Sequence, residues 1–452
     1  MDLPFGKSLK RLKAGAGSPA LCAGAEKGLG FMKVLWICNL MPAFLSDAVG
    51  VAGTNKEGWI AGALDTLRRH NEIDLAVAFP AKTDEPFHGV TEEGITYYGF
   101  IEDSDHPEQY DSALEASLGM ICDEFRPEVI HVFGTEFPHT LAMLKVQEWK
   151  KRVIVHLQGV MRECAAVYLA DLPQEVTERA TLRDVIRKDS LWRQQEKYEQ
   201  RAAHEEEALK LAQYACGRTA FDKEFLESVN SGCTYFSLNE TLRNAFYSDA
   251  WKSENATPHR IVMSQGNVPF KAVHHMIKAL PAIREKYPDA ELYVAGDNVV
   301  RESGMVERLK LSEYGRYLRM VMDECGVTDA VHFVGQQNEA QMKELYLTAQ
   351  VYVLPSLIEN SPNSLGEAML LGVPSIASRV GGIPSMAEEG EVAFFEAGNA
   401  EALAERVLRI FDDDEYAAAL SAAGRKRATL TFDKEANYRM LCWIYETVSK
   451  EQ

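Results

Sequence analysis

Residues 351–384 read VYVLPSLIENSPNSLGEAMLLGVPSIASRVGGIP, and the order of signals in this stretch decides the fold. Four apolar residues, Val351–Leu354, predict a buried strand that stops at Pro355. A polar loop follows. Pro362 falls at or near a helix start, where its missing N–H does no harm. Asn360, Ser361, Asn363 and Ser364 are all residue types that cap such a start. The helix is expected over 364–371, with Gly372 ending it. A second strand, 375–377, leads to Gly381 and Gly382, where a ligand could approach the backbone closely. Strand, helix, strand is a parallel β-α-β unit. The helix start offers N–H groups and a dipole to a phosphate. Glu359 and Glu367 bracket it. A carboxylate accepts two hydrogen bonds side by side, which suits the vicinal diol of a sugar or ribose.

The same alternation extends outward on both sides. Strands are expected at 34–38, 75–79, 95–100, 129–133, 153–157 and 214–218, with amphipathic helices such as 59–70 and 112–125 between them. A second series has strands at 260–264, 291–295, 330–334, 351–354 and 375–377. Its helices fall at 274–286, 314–325, 340–348, 364–371 and 400–411. This predicts an α/β chain of two Rossmann-like parallel-sheet domains, 32–250 and 251–430, facing a central cleft. The boundary is expected in the polar stretch 248–259, SDAWKSENATPH.

Composition narrows the class. The chain has 452 residues, 46% of them hydrophobic and 25% charged, which excludes a mainly disordered or collagen-like chain. Lys and Arg number 48 against 67 Asp and Glu, so the net charge is −19 and nucleic acid is not an expected partner. No run approaches the roughly 20 apolar residues of a membrane-spanning helix. The eight Cys form no C-x-x-C pair, so neither a zinc site nor a disulfide framework is expected. Reduced thiols and a cytoplasmic location follow. Residues 1–31 are rich in Gly, Ala and Lys without the apolar run of a signal peptide, and are expected to form a disordered leader.

The run from LPS through ENSPNSLGEAML to GVPSIAS and VGGIP resembles the E-x7-E region of retaining glycosyltransferase family 4, with Glu359 and Glu367 as its two acids. The resemblance implies a GT-B fold and a nucleotide-sugar donor bound to the second domain. Glu359 would then hold hydroxyls of the donor sugar and Glu367 the ribose, with Asn363, Ser364 and Leu365 beside the diphosphate. It also implies that residues 431–452, with their helix at 434–448, cross back onto the first domain. The opening of the second domain, RIVMSQGNVPFKAV, resembles the GN-x-P-x-K form of a bacterial polysaccharide-assembly subgroup. That makes Gly266 and Asn267 donor-side residues and Lys271 the phosphate cation, catalytic with Glu359. Where the family has Gly-Arg and Lys-Gly, this chain has Gly266-Asn267 and Lys271-Ala272. The missing arginine leaves Arg260, Arg243 or a metal ion as candidates for the second positive charge. No cofactor and no metal ligands are expected, and Mg²⁺ is not predicted to be required.

In the first domain, the stretch 50–58, GVAGTNKEG, resembles the family's Gly-rich loop, with Gly58 well placed. Aligned on Gly159, the position of a family His-Gly falls on Gln158, which is expected in the site; His156, inside the strand, is expected in the core. The resemblance implies transfer of a sugar to a saccharide or lipid-linked acceptor in cell-surface polysaccharide or glycolipid synthesis. Two other readings are a nucleotide-sugar epimerase on the same fold and a non-catalytic nucleotide-sugar binding protein. Residues 177–214 show a long polar helical pattern with Arg179, Arg183 and Arg187 at four-residue spacing, as are Arg193, Lys197 and Arg201. A solvated helix paired with nearby acids is one reading, and peripheral contact with an anionic lipid surface at the inner face of the membrane is the other.

Overall fold

The computed structural model describes residues 32–51, 58–70, 72–300 and 310–451. The leader expected at 1–31 and most of the Gly-rich loop expected at 50–58 lie outside the described residues.

Two sheets organise the chain. The first has eight strands: β1 Met32–Ile37, β2 Ile73–Ala81, β3 Phe87–Val90, β4 Thr96–Ile101, β5 Val129–Phe133, β6 Val153–His156, β7 Tyr214–Gly217 and β8 Thr234–Ser237. Their order is β3-β4-β2-β1-β5-β6-β7-β8, parallel except for the β3–β4 pair. The second has six: β9 Arg260–Met263, β10 Glu291–Ala295, β11 Val331–Gly335, β12 Val351–Leu354, β13 Ser375–Ser378 and β14 Ala393–Phe395. Their order is β11-β10-β9-β12-β13-β14, parallel throughout. Strands buried on both faces, such as β5 and β12, read as unbroken apolar runs, because helices cover both sides. All eleven expected strands form. Three others, β3, β8 and β14, carry no such signal: β3 is half exposed, β8 is exposed at both ends and β14 has three residues.

Among the parallel strands of each sheet the order reverses once, between β1 and β5 and between β9 and β12. Ligands of such sheets bind beyond the carboxyl ends of the strands at that switch point. The loops that leave β9 and β12 carry Lys271 and Glu359, and those that leave β1 and β5 carry Asn39 and Glu136. The chain passes between the cores over residues 238–259. Leu238 still packs in the first core, whereas Leu242 and Phe246 already pack in the second with Leu365 and Ala368.

The last helix, Lys434–Lys450, returns to the first sheet. Tyr445 is fully buried there, accepting from Trp36 Nε1 at 2.9 Å and standing 2.7 Å from Nδ1 of His131. The long pattern at 177–214 is divided into Gln174–Thr177, Leu182–Arg187 and Leu191–Leu211, after which β7 begins. Thr181 caps the middle piece through a capping box with Asp184, and Lys188 ends it with a left-handed φ of 53°.

His131, His156 and Cys216 place their ligand atoms within 4.8 Å of one another in the first core. The two imidazoles, however, stack with planes 13° apart and centroids 5.4 Å apart. His156, 1% exposed, is a core histidine. Burial holds His131 neutral, its pKa down at about 3, and drives that of His156 well below the usual range. Below pH about 6.5 the unfolded chain protonates these rings and the folded chain does not, so stability is lost as pH falls, by about 1.4 kcal/mol per pH unit for each ring. His156→Leu should therefore lose less melting temperature between about pH 7 and pH 5 than the parent. An equal loss would show that His156 does not titrate on unfolding.

Candidate active site between the two sheets

The loop after β12 builds one wall of the cleft. Helix Asn363–Leu371 begins after Pro362, and no side chain caps it. The four expected cap residues are engaged elsewhere or left uncommitted by this start. Asn360 turns to the first domain and Ser364 Oγ accepts from Tyr352 at 2.9 Å. Among the described residues no acceptor takes the N–H of Asn363 or Ser364. Leu365 differs: its N–H donates to the Pro362 carbonyl at 3.1 Å and its side chain is fully buried in the second core. Two N–H groups, not three, therefore face the cleft from this helix start.

Glu367 lies one turn further on and is buried. Both its oxygens accept from Arg243, Nε at 2.7 Å and Nη2 at 2.6 Å, in a bidentate pair. Burial pushes the Glu367 carboxyl above its usual range, against the pull of Arg243. Gly58, the first residue of helix Gly58–His70, makes room for Arg243, since a Cβ there would collide with the arginine's Cδ. A cleft of about 630 Å³ opens in front of this group, lined by Gly58, Trp59, Arg243, Asn363, Ser364 and Glu367. Its far end is formed by Gln336, Gln337 and Asn338, just past β11.

Lys271 and Glu359 form a second pair, Nζ to Oε1 at 2.6 Å. The same carboxylate oxygen accepts from Ser356 Oγ at 2.7 Å. Lys271 ends a short 3₁₀ turn, Pro269–Lys271, and Ala272 then takes φ 56°. That is the backbone form glycine adopts freely, and an L-residue holds it at about 1–2 kcal/mol. Thus an alanine holds a conformation that a glycine would adopt without strain. Asn267 turns away from the cleft, donating to Asp297 at 3.3 Å and accepting from Gln265 at 2.9 Å. Gly266 is set against Val294, with 2.9 Å between a built Cβ and Cγ1. None of Gly266, Asn267, Lys271 and Glu359 lines the cleft in front of Glu367, contrary to expectation; Asn267 lines a second cavity of the same volume.

Arg218 and Glu240 tie the domains together at the helix start. Their side chains are 4% and 0% exposed and 2.7 Å apart. Asn363 donates to Glu240 at 2.6 Å and accepts from Arg218 at 3.1 Å. Gln158 donates to Glu240 at 2.7 Å and accepts from Arg218 at 3.4 Å. Gln158 is therefore committed to this network and does not line the main cleft. Asn360 adds bonds to Asp222 at 3.0 Å and to the Gln158 carbonyl at 3.2 Å, and accepts from Thr219 at 2.6 Å. Gly381 and Gly382 serve this docking: a Cβ on either would strike the backbone carbonyl of Glu359 or Asn360. The close approach they permit here is to these carbonyls.

The sequence left Arg218 and Glu240 without a role, although both sit just beyond carboxyl ends of first-sheet strands. Their stretches, GRTAFD and NETLR, also resemble the polysaccharide-assembly subgroup, but that resemblance assigns them no role. Of the candidates for the second cation, Arg260 is excluded by place: it opens β9 at the amino end and donates to Thr348 at 3.0 Å. Arg243 lines the cleft, and Arg218 touches the residue that starts the helix.

Residues 248–427 match the profile of the family Glycosyl transferases group 1. Among curated relatives, the D-inositol 3-phosphate glycosyltransferase of Corynebacterium glutamicum is 29% identical over 154 residues, 32% of this chain and 34% of the relative. The putative teichuronic acid biosynthesis glycosyltransferase TuaC of Bacillus subtilis is 26% identical over 237 residues, 50% of this chain and 59% of the relative. The chain thus spans between a third and three fifths of the length of these relatives. Solved structures align over nearly the whole chain. Sucrose-phosphate synthase from Thermosynechococcus elongatus has TM-score 0.66 at 16% identity, covering 93% of this chain and 100% of that one. Anabaena Alr3699/HepE, solved with UDP and glucose, has TM-score 0.63 at 14% identity, covering 92% and 100%. The fold is GT-B, as the run 351–384 led us to expect, and the match to group 1 glycosyl transferases lies within its second domain.

Proposed function

We propose that the protein is a retaining glycosyltransferase that moves a sugar from a nucleotide-diphosphate sugar to a saccharide or lipid-linked acceptor. One observation carries the reading. Two uncapped N–H groups, from Asn363 and Ser364, and a buried carboxylate, Glu367, open onto one cleft of about 630 Å³ between the sheets. The N–H groups suit the diphosphate and Glu367 the ribose. Arg243 takes two of the roughly four lone-pair positions of that carboxylate, so a diol can share it. The base lies toward Gln336 and Gln337. Glu359, bound to Lys271, meets the sugar hydroxyls.

In this reading the acceptor hydroxyl attacks on the face from which the diphosphate departs. The bond from the anomeric carbon to the phosphate oxygen breaks, and the leaving diphosphate takes the acceptor's proton. Lys271 and the helix start stabilise the charge that develops on that oxygen, with Arg243 or Arg218 as the second positive group. With those cations in place, neither Mg²⁺ nor another cofactor is needed. The cross-domain network at Asn363 holds the two walls in register, which serves positioning and water exclusion. Relatives named as putative teichuronic acid and colanic acid biosynthesis glycosyltransferases support an acceptor in cell-surface polysaccharide synthesis.

The test is to incubate the protein with an anomerically pure nucleotide sugar and a panel of saccharide acceptors, and read the product by NMR. An α donor should give an α product. Inversion of the anomeric centre would refute the retaining mechanism. Interconversion of donor sugars without acceptor would identify an epimerase instead.

A further inference from the structure

Helix Leu182–Arg187 is turned inside out. Its one buried side chain is an acid: Asp184 accepts the N–H groups of Thr181 at 3.0 Å and of Glu313, in the second domain, at 2.9 Å. Arg183 neutralises Asp184 and Asp189, at 2.9 Å from each. The outward side carries Leu182, Val185 and Ile186, which are 64%, 64% and 72% exposed. Spacing of three and four puts them on one stripe. Trp192, 42% exposed, stands at the start of the next helix, with the Arg193 guanidinium 5.1 Å from its ring. A helix that buries its acid and exposes its aliphatics is not explained by the packing of this chain, and contiguous exposed apolar groups rimmed by polar ones mark interaction sites.

The rim decides the partner. Arg187, Lys188 and Arg193 border the stripe, in a chain whose net charge is −19. Three nearby acids are already engaged, Asp184 and Asp189 by Arg183 and Glu175 by Arg179 at 3.6 Å, while Glu196, one turn past Trp192, is exposed. In a symmetric pair of copies the basic rim would face itself. An anionic surface complements it, and aliphatic side chains with a bordering Trp suit the headgroup boundary of a bilayer.

We propose that Leu182, Val185, Ile186 and Trp192 form a docking surface for an anionic lipid bilayer, with Arg187, Lys188 and Arg193 on the headgroup phosphates. The location gives the surface a use. A cavity of about 630 Å³ extends from Arg183 and Arg187 to Asn267 and Pro269, two residues before Lys271. Docking here presents the loop of Lys271 to the membrane surface, where the head of a lipid-linked acceptor would lie. The docking itself does not depend on the transferase reading.

Sedimentation of the full chain with vesicles tests it. Binding to vesicles of phosphatidylcholine with phosphatidylglycerol should be at least about tenfold stronger than to phosphatidylcholine alone, and should weaken as salt shortens the Debye length. The pair Val185→Asp and Ile186→Asp should lower it by about tenfold or more, with circular dichroism and melting unchanged. If that pair misfolds, Leu182→Ser with Ile186→Ser reads the same effect with less charge. Equal binding by folded variants, or no binding of the parent to either vesicle, overturns the proposal. So does a dimer in light scattering that the same substitutions dissolve, which would make the surface an interface between copies.

Discussion

Glu367→Ala should weaken binding of the nucleoside diphosphate by about 10- to 100-fold, read as a dissociation constant by calorimetric titration. The magnitude follows from hydrogen bonds to a charged group, which are worth about 1.5–3 kcal/mol in a buried setting. The carboxylate is buried at the wall of the cleft, so its bonds to a ribose diol would be little screened. Its removal also leaves Arg243, 15% exposed, without its bidentate partner. Breaking a buried pair in this way costs up to about 3–5 kcal/mol, so the variant must be shown to be folded at the titration temperature. Glu367→Gln keeps the volume and one acceptor and should fall between parent and alanine. An unchanged dissociation constant in a folded variant would remove Glu367 from the ribose site.

Lys271→Gln should lower kcat by about 100- to 1000-fold while the acceptor KM moves little. A positive group beside a departing phosphate acts on charge that exists only as the bond breaks, so its loss appears in turnover. Glutamine is preferred to alanine because it still offers an N–H to Glu359, whose Oε1 otherwise keeps only the Ser356 hydroxyl. If kcat is unchanged and the melting temperature falls, Lys271 is a structural partner of Glu359 and the leaving-group cation lies elsewhere, with Arg218 or Arg243 next to examine.

The fold was legible because parallel strands covered on both faces must be apolar throughout, and the helices between them must carry a 3.6-residue period. What escaped were strands too exposed or short to carry that signal, such as β3 and β14. Of the E-x7-E run, Asn363, Ser364 and Glu367 face one cleft, because strand, proline and helix occur in fixed order, whereas Glu359 does not line it and stands paired with Lys271. The roles of individual side chains were less legible, since they depend on partners far away in sequence. Asn363 is 145 residues from Arg218 and 123 from Glu240. Gly381 and Gly382 looked like ligand glycines until the carbonyls of Glu359 and Asn360 occupied that space. The exposed stripe on helix Leu182–Arg187 was hidden because an i, i+3, i+4 apolar spacing normally means burial.

The central claim is that the cleft in front of Asn363, Ser364 and Glu367 holds a nucleoside diphosphate without a metal ion. Thermal melting of the full chain with UDP, GDP, ADP and CMP, each with EDTA and with Mg²⁺, tests it most directly. One diphosphate should raise the melting temperature equally in EDTA and in Mg²⁺, with stabilisation of about 2.7 kcal/mol at a ligand concentration 100 times Kd. A rise seen only with Mg²⁺ would assign the second positive charge to a metal rather than to Arg243 or Arg218. No rise with any of the four would contradict the claim.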